Sequence, residues 1–294
     1  MNATTTTTDD RAVRGGLFAV VGATGQQGGA TARALLRARA RVRALTRDPR
    51  ARAATVLADA GAGVVAADIA DAHSLRAAFT GVDGVFAMTT FAGPTGPAGE
   101  VEHGRLIGDA ARDVAVPHLV YSSVGGAERQ TGIPHFESKR RVEEYLAALG
   151  FPLTVVRPTF FMENFARGGP QDEIGVLVLR LPLPPGVPVQ MIGVRDVGVV
   201  AAAALLDLAA VPGGAVEIAG DERTGEQIAA AFGQQAGLPS RFEPLPLSAL
   251  AGDPDLQAMF SWFTTLPAYQ ADFAATRGLA PEVQDLPAWL TAQA

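Results

Sequence analysis

Leu17-Phe-Ala-Val-Val-Gly-Ala-Thr-Gly-Gln-Gln-Gly-Gly29 runs five apolar residues without a break into glycines at 22, 25 and 28. A short continuous apolar run closed by a glycine turn reads as a strand buried on both faces of a parallel sheet. The residues that follow, 30 to 40, are rich in Ala, Leu and Arg and read as a helix. Strand, glycine turn and helix together make the spacing a phosphate-site candidate. Gly22 would make the tight turn, Gly25 would admit a pyrophosphate to the backbone, and Gly28 would let the helix lie close on the strand. The anion would then meet unpaired N–H groups at a helix N-terminus. Ala23, Thr24, Gln26 and Gln27 complete the turn. The alternative is a plain strand-turn-helix corner, since the chain has 33 glycines.

Composition removes several other chemistries. The chain has 294 residues and no cysteine, which excludes disulfides, thiol nucleophiles and thiolate metal sites and is compatible with the cytoplasm. The four histidines, at 73, 103, 118 and 135, show no metal-ligand spacing, and no metal is expected. No apolar run reaches the roughly 20 residues of a membrane span. A net charge of −6 argues against a nucleic-acid surface. The arginines between 33 and 52 read as a solvated face. Residues 1–15, a Thr run with charges and glycines, read as a disordered tail. One oddity is informative: of 24 basic residues only Lys139 is lysine. In a chain that uses arginine elsewhere, it suggests a site needing a compact three-donor ammonium, chance survival being the alternative.

Strands alternate with helices as far as residue 157. The second strand, 42–46, ends at Leu45-Thr-Arg-Asp-Pro49. Arg47 stands near the place where an acid would accept from an adenosine ribose, and a guanidinium suits a 2′-phosphate, so NADP(H) is favoured over NAD(H). Asp48 is the competing residue. A helix is expected over 48–60 and a third strand over 63–68, ending in Asp68, which either meets an adenine or serves turn chemistry. Asp71 caps a helix through Phe79. The fourth strand, 82–88, leads into Thr89 and Thr90, ribose candidates at a strand's carboxyl end. Residues 91–99 read as a binding loop, 100–113 as a helix, 118–123 as the fifth strand, 136–149 as the helix carrying Lys139, and 153–157 as the sixth strand. The fold class is therefore α/β, a doubly wound parallel sheet over 16–157.

Residues 158–294 read as a smaller α+β cap or substrate region, partly interleaved with the sheet. It contains an aromatic loop over 160–165, helices at 196–208 and 223–235, a strand at 215–219, and helical pieces from 253 to 290. Trp262 and Trp289 are core or lid aromatics.

Taken together, Val21-Gly-Ala-Thr-Gly-Gln-Gln-Gly-Gly29, Leu45-Thr-Arg-Asp-Pro49, His135-Phe-Glu-Ser-Lys-Arg-Arg-Val-Glu-Glu-Tyr145, Val156-Arg-Pro-Thr-Phe-Phe-Met-Glu-Asn164, Val194-Arg-Asp-Val-Gly198, Gly220-Asp-Glu-Arg-Thr-Gly225 and Leu286-Pro-Ala-Trp-Leu290 resemble the NmrA-like family. That family is an atypical branch of the short-chain dehydrogenase/reductases. The resemblance implies NADP(H) with its pyrophosphate on the glycine turn and its 2′-phosphate on Arg47. It implies Asp68 and Ile69 by the adenine, Thr89, Thr90 and Phe91 along the ribose, and Lys139 with Phe161 to Asn164 near the nicotinamide.

The wider superfamily places a proton-donating Tyr four residues before the Lys. Here that residue is His135, either a proton donor or a structural hydrogen bonder. The superfamily's other hydroxyl falls on Val124, with Ser122 and Ser123 just before it, so Ser123 is the catalytic hydroxyl candidate. That departure favours acceptors whose developing charge is delocalised. The expected function is hydride transfer from NADPH to a small hydrophobic electron-poor substrate: a quinone, enone, imine or carbonyl. The bulky Phe91, Phe160, Phe161 and Met162 would wall the pocket or pack the core. The alternative is a non-catalytic NADP(H) sensor that binds a protein partner, and a homodimer is left open.

Overall fold

A computed structural model describes residues 15–293. All but Gly15 of the tail expected to be disordered lies outside them. The apolar run forms β1 (Leu17–Val20) and the residues after the glycine turn form α1 (Gln26–Arg37). There follow β2 (Arg41–Thr46), α2 (Arg52–Asp59), β3 (Gly63–Ala66), α3 (Ala72–Phe79), β4 (Gly84–Met88), α4 (Gly96–Asp113), β5 (Leu119–Ser122), α5 (Pro134–Ala148) and β6 (Leu153–Pro158). The polypeptide crosses from one side of β1 to the other between β3 and β4, so that β1 has β2 and β4 as neighbours. This reversal opens a crevice at the strands' carboxyl ends.

Several boundaries differ from the sequence reading. α4 begins at Gly96, with Pro97 in its first turn, because proline is tolerated where the helix has no N–H to satisfy. The expected 91–99 loop therefore shrinks to 91–95. For the same reason α5 begins at Pro134, which places His135 inside the helix rather than before it. α2 starts only at Arg52; Asp48 and Pro49 belong to the preceding turn, where Asp48 accepts the Arg50 N–H at 2.9 Å.

The second half begins with β7 (Phe160–Phe161), one 3-10 turn over Met162–Asn164 and the short α6 (Phe165–Gly168), where an aromatic loop was expected. Next come β8 (Gln171–Asp172), β9 (Leu177–Leu181), β10 (Pro188–Ile192), α7 (Val194–Leu206), β11 (Ala215–Ile218), β12 (Asp221–Thr224), α8 (Gly225–Ala236), β13 (Ser240–Pro244), α9 (Pro254–Phe263), α10 (Phe273–Leu279) and α11 (Leu286–Gln293). The main sheet has seven strands rather than six, in the order β11-β6-β5-β4-β1-β2-β3, all parallel. The added strand, β11, lies beside β6 from Ala215 opposite Val155 to Ile218 opposite Pro158. Two three-stranded sheets, β12-β10-β7 and β13-β9-β8, make up the rest.

Three apolar cores hold these layers. One lies between the sheet, α1 and α7, with Phe18, Leu35, Phe86, Val197, Val200 and Leu205 buried. Another lies on the opposite face under α3, α4 and α5, around Leu75, Phe79, Ile107, Val142 and Leu146. The third is aromatic and belongs to the second half, with Phe165, Phe260, Phe263, Tyr269 and Trp289. Phe136 of α5 reaches into this third core.

Two glycines decide how closely the layers approach. A Cβ on Gly28 would lie 2.3 Å from the Gly22 carbonyl oxygen, so only glycine lets α1 start this close to β1. A Cβ on Gly198 would lie 2.4 Å from the Ala30 carbonyl carbon, where α7 rests on α1.

The start of α7 has no local side-chain cap. Its Val194 N–H is taken instead by both oxygens of Glu163, at 3.0 Å each, and Trp289 Nε1 donates to the same carboxylate at 3.0 Å. Three of the recognised sequence segments thus meet at one helix terminus. Trp289 is a core residue; Trp262 packs edge-on to Phe136 and Tyr269.

Candidate active site

The glycine turn is shaped for an anion. Gly22 takes φ +64, a left-handed conformation that glycine adopts without strain, and its carbonyl accepts the Gly25 N–H at 2.9 Å. Gly25 caps α1 with no side-chain hydrogen bond, and the first turn carries no acid. The N–H groups of Gln26, Gln27 and Gly28 have no partner among the described residues. Thr24, Gly25 and Gln26 are exposed, whereas Ala23 is buried. A phosphate fits this set of donors by charge and by geometry. The Gln27 side chain is committed elsewhere, its Oε1 accepting from Ser122 Oγ at 2.6 Å and so tying the turn to the end of β5.

At the end of β2, Arg47 is exposed and forms no salt bridge among the described residues. Its competitor Asp48 is held in the turn that precedes α2. Asp68 is exposed and folds back in a turn of its own, its Oδ1 accepting the Ala70 N–H at 3.0 Å. Ile69 is half-buried against the core beneath α3.

The carboxyl end of β4 leads into a buried polar network. Lys139, on α5, donates from Nζ to Glu100 Oε1 at 2.8 Å and to the Thr89 carbonyl at 3.3 Å. Glu100 is fully buried and also accepts from Thr89 Oγ1 at 3.0 Å and from Ser138 Oγ at 2.5 Å. Thr89 Oγ1 lies 2.8 Å from the Tyr121 hydroxyl. A buried charge needs a counter-charge, and the Glu100 carboxylate supplies it to the Lys139 ammonium. Burial, and then the Glu100 charge, push the Tyr121 phenol well above its ordinary range, so it stays protonated within the network.

Glu100 is the residue that the sequence reading missed. In sequence it is only the first residue of an expected helix, and nothing in its spacing marks it as the partner of Lys139, 39 residues away. Thr89 is turned inward, its hydroxyl engaged by Glu100 and Tyr121, so its side chain is not presented as a ribose ligand. Thr90 is exposed, with its hydroxyl accepting the Ala92 N–H at 3.1 Å.

His135 lies one helical turn before Lys139. Its Nδ1 is 2.7 Å from Asp255 Oδ2, and its backbone N–H donates to Asp255 Oδ1 at 3.2 Å. Phe91 stacks on the imidazole at 4.6 Å and Phe136 meets it edge-on at 4.7 Å. Burial lowers the imidazole below its ordinary value, against an upward pull from Asp255. The structure thus brings Lys139, His135, Thr89 and Phe91 together.

Ser123 is not part of this group. Among the described residues its buried hydroxyl has no hydrogen-bond partner and no hydrogen bond joins it to His135 or Lys139. Phe161 is half-buried against the core below α1, and Asn164 is exposed at the start of α6. Met162 is fully buried and Phe160 packs on Phe165 and Phe263, so both are core residues. Among the described residues no group of side chains is arranged to hold a metal, and no helix is long and apolar enough to cross a membrane.

Comparison with known proteins places the chain in a family. The NmrA-like family matches residues 16–288. The NmrA-like family domain-containing oxidoreductase FrzB of a Cladobotryum species is 34% identical over 283 residues, covering 85% of this chain and 84% of its own. In three dimensions, the chain is similar to the NADPH-dependent quinone oxidoreductase QOR2 of Escherichia coli, solved with NADPH. The TM-score is 0.76 at 23% identity, covering 94% of this chain and 99% of that one. It is equally similar to NmrA, a negative transcriptional regulator solved with NAD, with a TM-score of 0.78 at 20% identity and 94% of each chain covered. This protein belongs to the NmrA-like family.

Proposed function

We propose that the protein is an NADP(H)-dependent oxidoreductase acting on a small hydrophobic, electron-poor acceptor such as a quinone, enone, imine or carbonyl. The observation that carries this reading is the cluster at the carboxyl end of β4, where a buried lysine and an aromatic-flanked histidine stand one helical turn apart. The dinucleotide would be held by the free N–H groups of Gln26, Gln27 and Gly28 and by Arg47. When bound, it supplies the hydride. Lys139 holds a positive charge and one unspent N–H donor at the strand end, His135 offers a proton, and Phe91 and Phe136 flank the imidazole. The relative FrzB is named an oxidoreductase, and QOR2 carries the matching cofactor, which supports the reading.

A second reading is a sensor that binds NADP(H) without turnover. It is favoured by the likeness to a transcriptional regulator and by Ser123, whose buried hydroxyl makes no hydrogen bond to His135 or Lys139 among the described residues.

Loss of reduced-nicotinamide absorbance across quinones, enones, imines and aldehydes separates the two, with NADPH and NADH in parallel. The oxidoreductase reading predicts turnover with NADPH that Lys139→Met reduces by two or more orders of magnitude, roughly the scale of one positioned polar group. NADPH bound with no consumption on any acceptor would favour the sensor.

A further inference from the structure

Asp255 spends both carboxylate oxygens on one residue 120 positions earlier in the chain. Oδ2 lies 2.7 Å from His135 Nδ1, and Oδ1 accepts the His135 backbone N–H at 3.2 Å. Oδ1 caps the first turn of α5, whose own N-cap residue Ile133 makes no side-chain hydrogen bond. Capping does not account for Oδ2 on the imidazole, and α9 is itself capped by Asp253, which accepts the Leu256 N–H. A carboxylate against Nδ1 keeps the proton on that nitrogen and leaves Nε2 as the reactive edge of the ring. Nε2 makes no hydrogen bond among the described residues and is not one of the buried orphan atoms. The ring is stacked on Phe91 and met edge-on by Phe136.

We propose that Asp255 is the positioning residue for His135, fixing its tautomer and aiming Nε2 as proton donor, so that the second half of the chain completes the proton-delivering group of the first. The inference rests on the oxidoreductase reading above. In the step, the doubly protonated imidazolium is the acid. Its Nε2–H bond breaks towards the acceptor's developing oxyanion or nitrogen anion, the electron pair stays on the ring, and the neutral Nδ1–H tautomer held by Asp255 remains. Solvent then returns the proton. The two electrons and the other hydrogen come from the reduced dinucleotide.

The charged groups facing His135 are Asp255 from α9, Lys139 from its own helix and Glu100 from α4. Burial and Lys139 push the imidazole down; Asp255 and Glu100 lift it. Asp255→Asn removes the largest lifting charge at nearly constant shape, so His135 should titrate lower and lose its preference for the Nδ1–H tautomer.

The test is ¹⁵N imidazole NMR on the cofactor-free full chain, which has four histidines, with His135 identified by the signal that His135→Asn removes. The expected result is an Nδ1–H tautomer in the wild type. In Asp255→Asn the tautomers should mix and the midpoint fall by about half a unit or more. In turnover, the rate should decline as pH rises through the His135 midpoint, because the acid form is consumed. In Asp255→Asn that limb should move to lower pH by the same amount. An Nε2–H tautomer in the wild type, or an unmoved midpoint in the variant, would overturn the proposal. So would a shifted midpoint with a rate limb that stays in place, which leaves the oxidoreductase reading intact. Absence of turnover on every acceptor would overturn proton delivery together with that reading.

Discussion

Lys139 and Glu100 show what one residue pair can settle. Lys139 stood out in the sequence as the single lysine among the cations, and the structure gives it a buried counter-ion and a place at the end of β4. Glu100 was illegible, because an acid near the start of a helix is ordinary. Its inward orientation follows from α4 starting early at Gly96, which puts Glu100 in the second turn facing Ser138 and Lys139. Thr89 was legible as a strand-end hydroxyl, but not as one turned towards a buried carboxylate. Removing either charge should strand the other in an apolar surrounding, at a cost of about 3 to 5 kcal/mol for Glu100→Gln or Lys139→Met. Removing both should restore part of that. A double-mutant cycle in urea unfolding is predicted to show a coupling of about 1 to 3 kcal/mol, and additive losses would mean the pair is not a unit.

At the scale of elements, the glycine-turn corner and the helix near 196–208 were legible because apolar periodicity and glycine punctuation survive without tertiary help. The strands β8, β9, β10, β12 and β13 were not. They are two to five residues long, lie among prolines and glycines, and find partners only in three dimensions. β11 was legible as a strand but not as a member of the main sheet, since a four-residue run does not encode which edge it joins. α1 lies close on β1 through Gly28, and α7 lies close on α1 through Gly198. Gly28→Ala and Gly198→Ala would each force backbone apart and should cost about 1 to 3 kcal/mol or more. Gly278→Ala, in α10 where an added Cβ meets nothing within 4 Å, should instead stabilise by about 0.5 to 1 kcal/mol. Thermal unfolding of the three variants checks the sign at each position.

Over the whole molecule, the two halves of the sequence are stitched rather than stacked. β11 completes the sheet at one edge, and α7 covers α1 beside the glycine turn. Arg129, in the loop after β5, grips Glu217 of β11 through two hydrogen bonds at 2.8 and 3.0 Å, and Glu217 also accepts the Gln270 N–H at 2.8 Å. Asp196 and Glu163 tie α7 to residues 284 and 289 near the end of the chain. The second half therefore supplies both a sheet strand and the carboxylate of Asp255 on His135. In the function proposed above, the crevice at the strand ends would take a phosphorylated dinucleotide, with the anion on the α1 terminus and Arg47 on the 2′-phosphate. Fluorescence titration of NADPH and NADH into the wild type and Arg47→Ala tests it most directly. NADPH should bind the wild type about tenfold or more tighter than NADH, the scale of one charge-assisted pair, and Arg47→Ala should erase the difference. Equal affinities in the wild type, or a preference that survives loss of Arg47, would contradict it.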